Sequence, residues 1–312
     1  MHSTTPCPAV TIVIPTHSEQ RWNSLVRTVA TARAQTHMPA EIVVVVDHNT
    51  AFFRRIRRDL PGVTVLENAY GRGVSGNRNT GAFHARTSIV AFLDDDISAD
   101  PNWLARLIVP FADPDVVGTG GWIEPDWEFH RPRWMPDEFL WAVGGSYAGM
   151  PTVTSPIRNV WSASMVVRRE VFTAVGGFRV GFGKLGGVNR PEDTELCIRM
   201  SALNGGHWMY VPDAVIRHQV PARRSTFGFF VRRCYAEGRG KVQMAGLHDG
   251  EALGAERDYL WSLPKAMVRN LGAGRLAQAG GVVAGVVAAG WGGVVETVAA
   301  RRTGRHELEP VR

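Results

Sequence analysis

The sequence predicts an α/β protein built on a mostly parallel, Rossmann-like sheet with helices on both faces, followed by a C-terminal helical tail. Three observations carry that prediction. Short apolar, largely β-branched runs recur at residues 10–14, 42–46, 63–66 and 90–93. Segments of helical apolar spacing lie between them, as in Trp22, Leu25, Val26, Val29 and Ala30. Three of the runs stop in polar clusters, Pro15-Thr16-His17, Asp47-His48-Asn49 and Asp94-Asp95-Asp96. Uniformly apolar strands are buried on both faces, and strand–helix alternation implies crossover connections and parallel pairing. Ligands of such open sheets bind outside the carboxyl ends of the strands, so the three clusters are expected along one rim.

The elements follow in order. The first run closes at Pro15 and is too short for a helix. The third follows the Pro61-Gly62 turn. Asp100 and Pro101 read as the N-cap and first residue of a helix with Trp103, Leu104, Leu107, Ile108 and Phe111 on its apolar face. Residues 116–121 read as another strand. Residues 120–161 are aromatic and irregular, and Trp122, Trp134, Phe139, Trp141 and Trp161 suit either core packing or an acceptor platform. Residues 164–168 return to strand, and 169–175 form a short helix closed by Gly176-Gly177. A glycine-rich loop over 181–187 precedes Pro191-Glu192-Asp193, which opens a helix ended by Gly205. Residues 210–211 and 215–216 are short strand pieces, with His218 directly after them.

The C-terminal part turns basic and then apolar. Arg223, Arg224, Arg232, Arg233, Arg239 and Lys241 are interleaved with Phe227, Phe229, Phe230 and Tyr235, which fits a solvated helix face or a contact with phosphate or headgroups. Residues 279–295 carry no charge, short of the ~20 residues a spanning helix needs. Arg275 precedes them and Arg301, Arg302 and Arg305 follow, so membrane association is expected ahead of a buried core helix. Gly281 and Gly285 have the small-xxx-small spacing of packed membrane helices.

Composition narrows the function. The 312 residues carry 35 Lys and Arg against 29 Asp and Glu, and the net charge of +6 favours phosphorylated substrates or acidic membrane surfaces. No nucleic-acid-binding motif accompanies that charge, so nucleic acid is not an expected partner. Cys7, Cys197 and Cys234 are too few and too scattered for a disulfide framework or a zinc site, which fits a reducing compartment. Residues 1–9 lack a basic and an apolar signal region, and a cytoplasmic location is expected.

The chemistry is concentrated in carboxylates. Asp94, Asp95 and Asp96 repel one another unless a cation sits among them, and oxygen donors at a strand end suit Mg²⁺ or Mn²⁺. A polar loop capping a strand is the competing reading. Glu192 and Asp193 fall in a first helical turn, where the macrodipole favours negative charge and capping alone would explain them. Gly71-x-Gly73-x-x-Gly76 matches a dinucleotide fingerprint literally. Four residues, Glu67 to Tyr70, separate it from its strand, and the next strand ends in three acids, so that reading is set aside.

Taken in order, Thr16, Asp47, Arg78-Asn79-x-Gly81, Asp94 to Asp96, Gly176-Gly177-Phe178 and Glu192-Asp193 resemble a family 2 glycosyltransferase of the GT-A fold, over about residues 10–233. The resemblance implies an inverting enzyme that moves a sugar from a nucleotide diphosphate to a hydroxyl, with UDP the favoured nucleotide. It implies that Pro15, Thr16 and Asp47 hold the base, Arg78 lies near the diphosphate, and Asp94 meets the ribose with Asp95 in support. It further implies Asp96 and His218 as ligands of Mn²⁺ or Mg²⁺ and Asp193 as catalytic base; from the aromatic stretch and the helix start, Trp122, Trp161 and Glu192 are expected on the acceptor side. Asp47-His48-Asn49 departs from the usual family pattern of two acids and Gly-Ser, which leaves the base identity open.

The chemistry agrees with these roles. A cation stabilises charge on the departing diphosphate. With a free carboxyl pKa of ~3.9, Asp193 can take the hydroxyl proton only as the new bond forms. The expected organisation is a glycosyltransferase domain over residues 1–240, with its nucleotide part near 10–120 and acceptor part near 121–240, then a helical extension over 241–312. A glycan or lipid-linked acceptor and peripheral membrane contact at the cytoplasmic face follow from the tail and the basic stretch. A sugar-nucleotide nucleotidyltransferase and a catalytically inactive carbohydrate-binding scaffold are the alternatives.

Overall fold

The computed structural model describes residues 8–185, 188–245 and 254–303. Cys7, Gly186, Gly187 and Arg305, which figure in the sequence reading, lie outside the described residues. In chain order the first half contains β1 (Val10–Thr16), α1 (Trp22–Arg33), β2 (Glu41–Val46), α2 (Thr50–Asp59), β3 (Thr64–Glu67), α3 (Val74–His84), β4 (Ile89–Leu93), β5 (Ile97–Ala99), α4 (Trp103–Ile108) and β6 (Val116–Trp127). Then come β7 (Ser155–Ile157), β8 (Ser164–Arg168), α5 (Arg169–Ala174), β9 (Gly183–Leu185), β10 (Val188–Arg190), α6 (Glu192–Asn204), β11 (His207–Val220), α7 (Phe227–Ala245), α8 (Gly254–Gly272) and α9 (Leu276–Thr303).

Two compact units share this chain. The first takes the residues up to Glu124, Pro151–Leu185 and Glu192–His218. Its sheet runs β3-β2-β1-β4-β8-β6-β11-β5, with β7 paired to β11. The β3-β2-β1-β4 part is parallel, while β8 is antiparallel to both β4 and β6. Successive strand residues point to opposite faces, so Ile12 and Ile14 join Leu25, Phe52, Trp103 and Ile216 in one core while Val13 joins Phe92, Phe172, Phe178 and Trp208 in another. Gly81 lets α3 lie directly on β1, since a Cβ there would come within 2.4 Å of Val13.

Four local expectations are corrected. α4 starts at Trp103 with Asn102 as N-cap, because the Asp100 carboxylate accepts from Arg217 Nη1 at 2.9 Å instead of capping the helix. β6 continues past Gly121 to Trp127. Residues 207–220 form one strand, and Pro212 falls between the stretch paired with β7 and the stretch paired with β5, where its missing N–H is tolerated. Residues 183–185 of the expected loop are strand β9.

The second unit takes Pro125–Met150, Gly186–Pro191 and the residues from Gln219 onward. Met135, Phe139, Phe230, Cys234, Leu263 and Val282 form its core. Trp134 and Phe139 pack against Phe230 with ring centroids 5.3 and 5.6 Å apart, the second pair edge to face, so this part of the aromatic stretch is packing. Gly281 and Gly285 face the Trp134 carbonyl and the Phe139 ring, so their small size serves contacts within the chain.

Candidate active site

Parallel pairing brings the carboxyl ends of β1, β2 and β4 to one rim, with Thr16 opposite Val46 and Asp47 immediately beyond. The chain leaves β1 for β2 on one side and returns to β4 on the other, which opens a crevice between β1 and β4. Thr16 spans that crevice, its Oγ1 donating to Asp95 Oδ2 at 2.6 Å. Pro15 is buried within β1.

Two acids of the triplet, Asp95 and Asp96, are held together by an arginine outside the expected site residues. Arg21 ends a 3-10 turn, Glu19–Arg21, directly before α1. Its Nη1 lies 2.5 Å from Asp95 Oδ1 and 2.9 Å from Asp96 Oδ2. α1 is fixed over the triplet by Thr28, whose Oγ1 donates to the Ile97 carbonyl at 2.7 Å. Burial pushes the Asp95 carboxyl up to about 6, opposed by Arg21 and the Thr16 hydroxyl and reinforced by Asp96. Desolvation disfavours the Arg21 charge, but the two carboxylates outweigh it and raise the guanidinium pKa. The same cation, after burial, helps to lower the His17 imidazole.

Asp96 turns its other oxygen, Oδ1, towards His218 Nε2 at 3.6 Å. This meeting is set by the antiparallel register of β11 on β5, which places His218 opposite Ile97. His218 Nδ1 is buried without a hydrogen-bond partner. Asp96 and the imidazole of His218, whose Nδ1 is left unpaired, supply one oxygen and one nitrogen donor, which fit a divalent cation that completes its shell with phosphate oxygens and water. Among the described residues no group of three His, Cys, Asp or Glu side chains forms a self-sufficient metal site.

A second arginine organises the other side. Arg78 on α3 is 2% exposed, with Nη2 2.7 Å from Asp94 Oδ1 and Nη1 3.4 Å from Glu192 Oε1. Its guanidinium lies 5.4 Å from the Phe178 ring centroid. The adjacent Asn79 exchanges two hydrogen bonds with the Phe178 backbone, at 2.7 and 2.8 Å. Glu192 and Asp193 open α6, and Asp193 Oδ1 accepts from the Thr194 amide at 2.8 Å. Burial pushes the Glu192 carboxyl up to about 7, with Asp193 adding to the shift and Arg78 opposing it.

At the β2 end, Asp47 accepts from Asn68 Nδ2, from His48 Nδ1 and from the Gly73 amide at 2.8, 2.8 and 3.0 Å. Burial would raise its carboxyl, yet these bonds outweigh burial and hold it below the usual range. Gly73, with φ of 129°, thus turns the amide at the start of α3 onto a carboxylate. Asn77 ties the ends of β1 and β2 by donating to the Thr16 and Val45 carbonyls.

The rim therefore collects Thr16, Asp47, Arg78, Asp94, Asp95, Asp96, Glu192, Asp193 and His218 in the first unit. Trp122 and Trp161 are half-buried, and Trp161 packs against the core around Trp103. A cleft of about 390 Å³ lies in the second unit, lined by Phe129, His130, Arg133 and Trp134 without a carboxylate. Nothing in Ser18-Glu19-Gln20-Arg21 marks Arg21 beyond a basic residue ahead of an apolar helical face.

Residues 11–176 match the family model described as glycosyl transferase family 2. The chain is a family 2 glycosyltransferase. The transferase is 32% identical over 240 residues to the glucosyl-dolichyl phosphate glucuronosyltransferase of Haloferax volcanii, covering 75% of this chain and 77% of that protein. It is 24% identical over 204 residues to the succinoglycan biosynthesis protein ExoM of Rhizobium meliloti, covering 63% and 62%. A mannosyltransferase from Pyrobaculum calidifontis, solved with GDP-Man and Mn²⁺, superposes on this family 2 transferase with a TM-score of 0.57 at 19% identity, covering 92% and 88%. GalNAc-T7, solved with UDP, GalNAc and Mn²⁺, gives 0.54 at 17% identity, and the chain spans 54% of that structure's length. These neighbours establish the GT-A fold, and the relatives establish an enzyme of glycosyl transfer.

Proposed function

We propose that the transferase inverts the anomeric centre as it moves a sugar from a nucleotide diphosphate, with UDP favoured, to a hydroxyl of a lipid-linked glycan. The observation that carries this reading is the single rim on which Asp96 with His218 and Asp94 with Glu192 and Asp193 stand together. Asp47 receives the base and Asp94 the ribose. Arg78 acts on the donor through Asp94, because its own guanidinium is buried between two carboxylates. Arg21 and Thr16 hold Asp95, which keeps Asp96 directed at His218.

Asp96 and His218 would hold Mn²⁺ or Mg²⁺. When bound, that cation supplies charge stabilisation at the departing diphosphate. Asp193 takes the acceptor proton as the new bond forms, so no covalent sugar intermediate is required. Glu192, whose carboxyl is pushed up to about 7, stands beside it on the acceptor side, with Trp122 and Trp161 as sugar-stacking candidates. The Haloferax volcanii relative, a glucosyl-dolichyl phosphate glucuronosyltransferase, supports a lipid-linked acceptor and work at a membrane.

A hydrolysis screen of nucleotide sugars with Mn²⁺ or Mg²⁺ identifies the donor. Asp193→Asn is expected to lower transfer by ~10²- to 10⁴-fold with donor affinity nearly unchanged, and substantial residual turnover removes it as base. Asp96→Ala or EDTA is expected to weaken donor binding in calorimetric titration. Insensitivity to both rules out the metal assignment.

A further inference from the structure

The second unit carries an apolar face that its own packing leaves uncovered. Along α9, Val283, Val287, Trp291, Val294 and Val298 recur at helical spacing and are between 42% and 64% exposed. On α8, Leu260, Trp261, Val268 and Leu271 form a second row, with Trp261 73% exposed. The two helices pack on each other. Their other sides are occupied: Leu263 and Ala266 of α8 are buried, and Gly281, Gly285 and Gly292 of α9 lie against the Trp134 carbonyl, the Phe139 ring and the Tyr235 carbonyl. Arg257, Lys265, Arg275 and Arg301 are exposed on the same two helices and their shared turn. Glu296, the one acid among their described side chains, is held by Arg239 and Gln243 at 2.7 Å each. Glu256 and Asp258 lie outside the described side chains.

We propose that this face docks flat on an anionic membrane surface, with α8 and α9 in the interfacial plane, Trp261 and Trp291 at headgroup level, and α9 not crossing the bilayer. The proposal rests on the lipid-linked acceptor reading and names the surface through which it is met. Length and composition alone would permit a span, since Leu276–Arg301 is 26 residues long and contains an 18-residue window with a mean hydropathy of 1.7. Packing decides against it. The glycine side of α9 is joined to α7, which carries Arg233, Glu237, Arg239 and Lys241 and is tied to Glu296 through Arg239. A spanning α9 would draw these charges into hydrocarbon or abandon the core around Phe139 and Phe230.

Lying flat keeps that core, places the apolar rows among acyl chains and leaves the cations at phosphate level. Tryptophan is suited to this depth because its ring is apolar and its N–H stays hydrated. A second copy on the same face would set cations against cations, whereas anionic lipid neutralises them.

The test uses the full chain without donor or acceptor, mixed with phosphatidylcholine vesicles with and without phosphatidylglycerol. Flotation with the phosphatidylglycerol vesicles, a blue-shifted tryptophan emission, weakening by salt and release by alkaline carbonate are the expected results. The double variant Trp261→Ser/Trp291→Ser should lose at least about tenfold in partitioning, with unchanged circular dichroism and unchanged turnover of a water-soluble acceptor analogue. Retention through carbonate would show a span and overturn the proposal. So would unchanged partitioning of the double variant, or a concentration-dependent dimer that ignores vesicles. Because binding is read without substrates, its failure leaves the acceptor reading standing, and failure of transfer to a lipid-linked acceptor leaves the docking result standing.

Discussion

Two arginines neutralise the acids of the rim, and they do so from opposite circumstances. Arg78 rises from α3 inside the structure, 2% exposed, with one carboxylate on each arm and an aromatic face beneath it. Arg21 reaches in from a turn at the head of α1, with its side chain 27% exposed, and brings one nitrogen to two acids. The buried arginine fixes the relation between the β4 end and the start of α6, which are distant in sequence. The half-buried one fixes the orientation of carboxylates that are neighbours in sequence. The first ties Asp94 to Glu192; the second leaves the far oxygen of Asp96 directed at His218.

That contrast breaks most sharply at Arg78. Arg78→Met should cost about 3–5 kcal/mol in denaturant unfolding, because it strands Asp94 and Glu192 with no cation between them. Arg78→Lys should recover little of this, since one ammonium cannot reproduce the two-armed geometry. Arg21→Gln should cost less, about 1–2 kcal/mol, as water reaches this arginine and Thr16 still donates to Asp95. It should also weaken Mn²⁺ binding by ~10- to 100-fold in the absence of nucleotide, as loss of an orienting partner does at metal sites. A larger unfolding loss at Arg21 than at Arg78 would reverse the comparison.

The smallest effect is one of pH. Glu192 has a folded-state pKa raised to about 7, so between its ordinary value and 7 the native state holds a proton that the unfolded chain has released. Stability contributed by this group therefore falls as pH rises through that window, and Asp95 acts in the same direction up to about 6. Glu192→Gln should leave the melting temperature nearly unchanged at pH 4 and raise it above wild type beyond pH 7. A gap that is independent of pH would show that Glu192 does not keep its proton.

What was legible in the sequence was what is local to a strand end. Asp47 and the Asp94-Asp95-Asp96 triplet each follow directly on an apolar run, and parallel pairing of those runs makes the rim. What was not legible depends on contacts distant in sequence. β5 is three residues long and has no periodicity of its own, yet it determines where His218 stands. Glu192 reads as a capping acid until Arg78 is found across from it, 114 residues away in the chain. Gly281 and Gly285 gave the correct inference of close approach and the wrong partner, because spacing records the size of a neighbour and not its identity.

The pairing of β11 with β5 also acts as a gauge. A strand alternates its side chains, so one residue of slip would present Arg217, a permanent cation, where His218 now meets Asp96. The observed register also brings Arg217 to Asp100 as an ion pair at 2.9 Å beside the same ladder. An exposed surface contact thus serves as the index mark that keeps an imidazole, and not a guanidinium, in front of the acid.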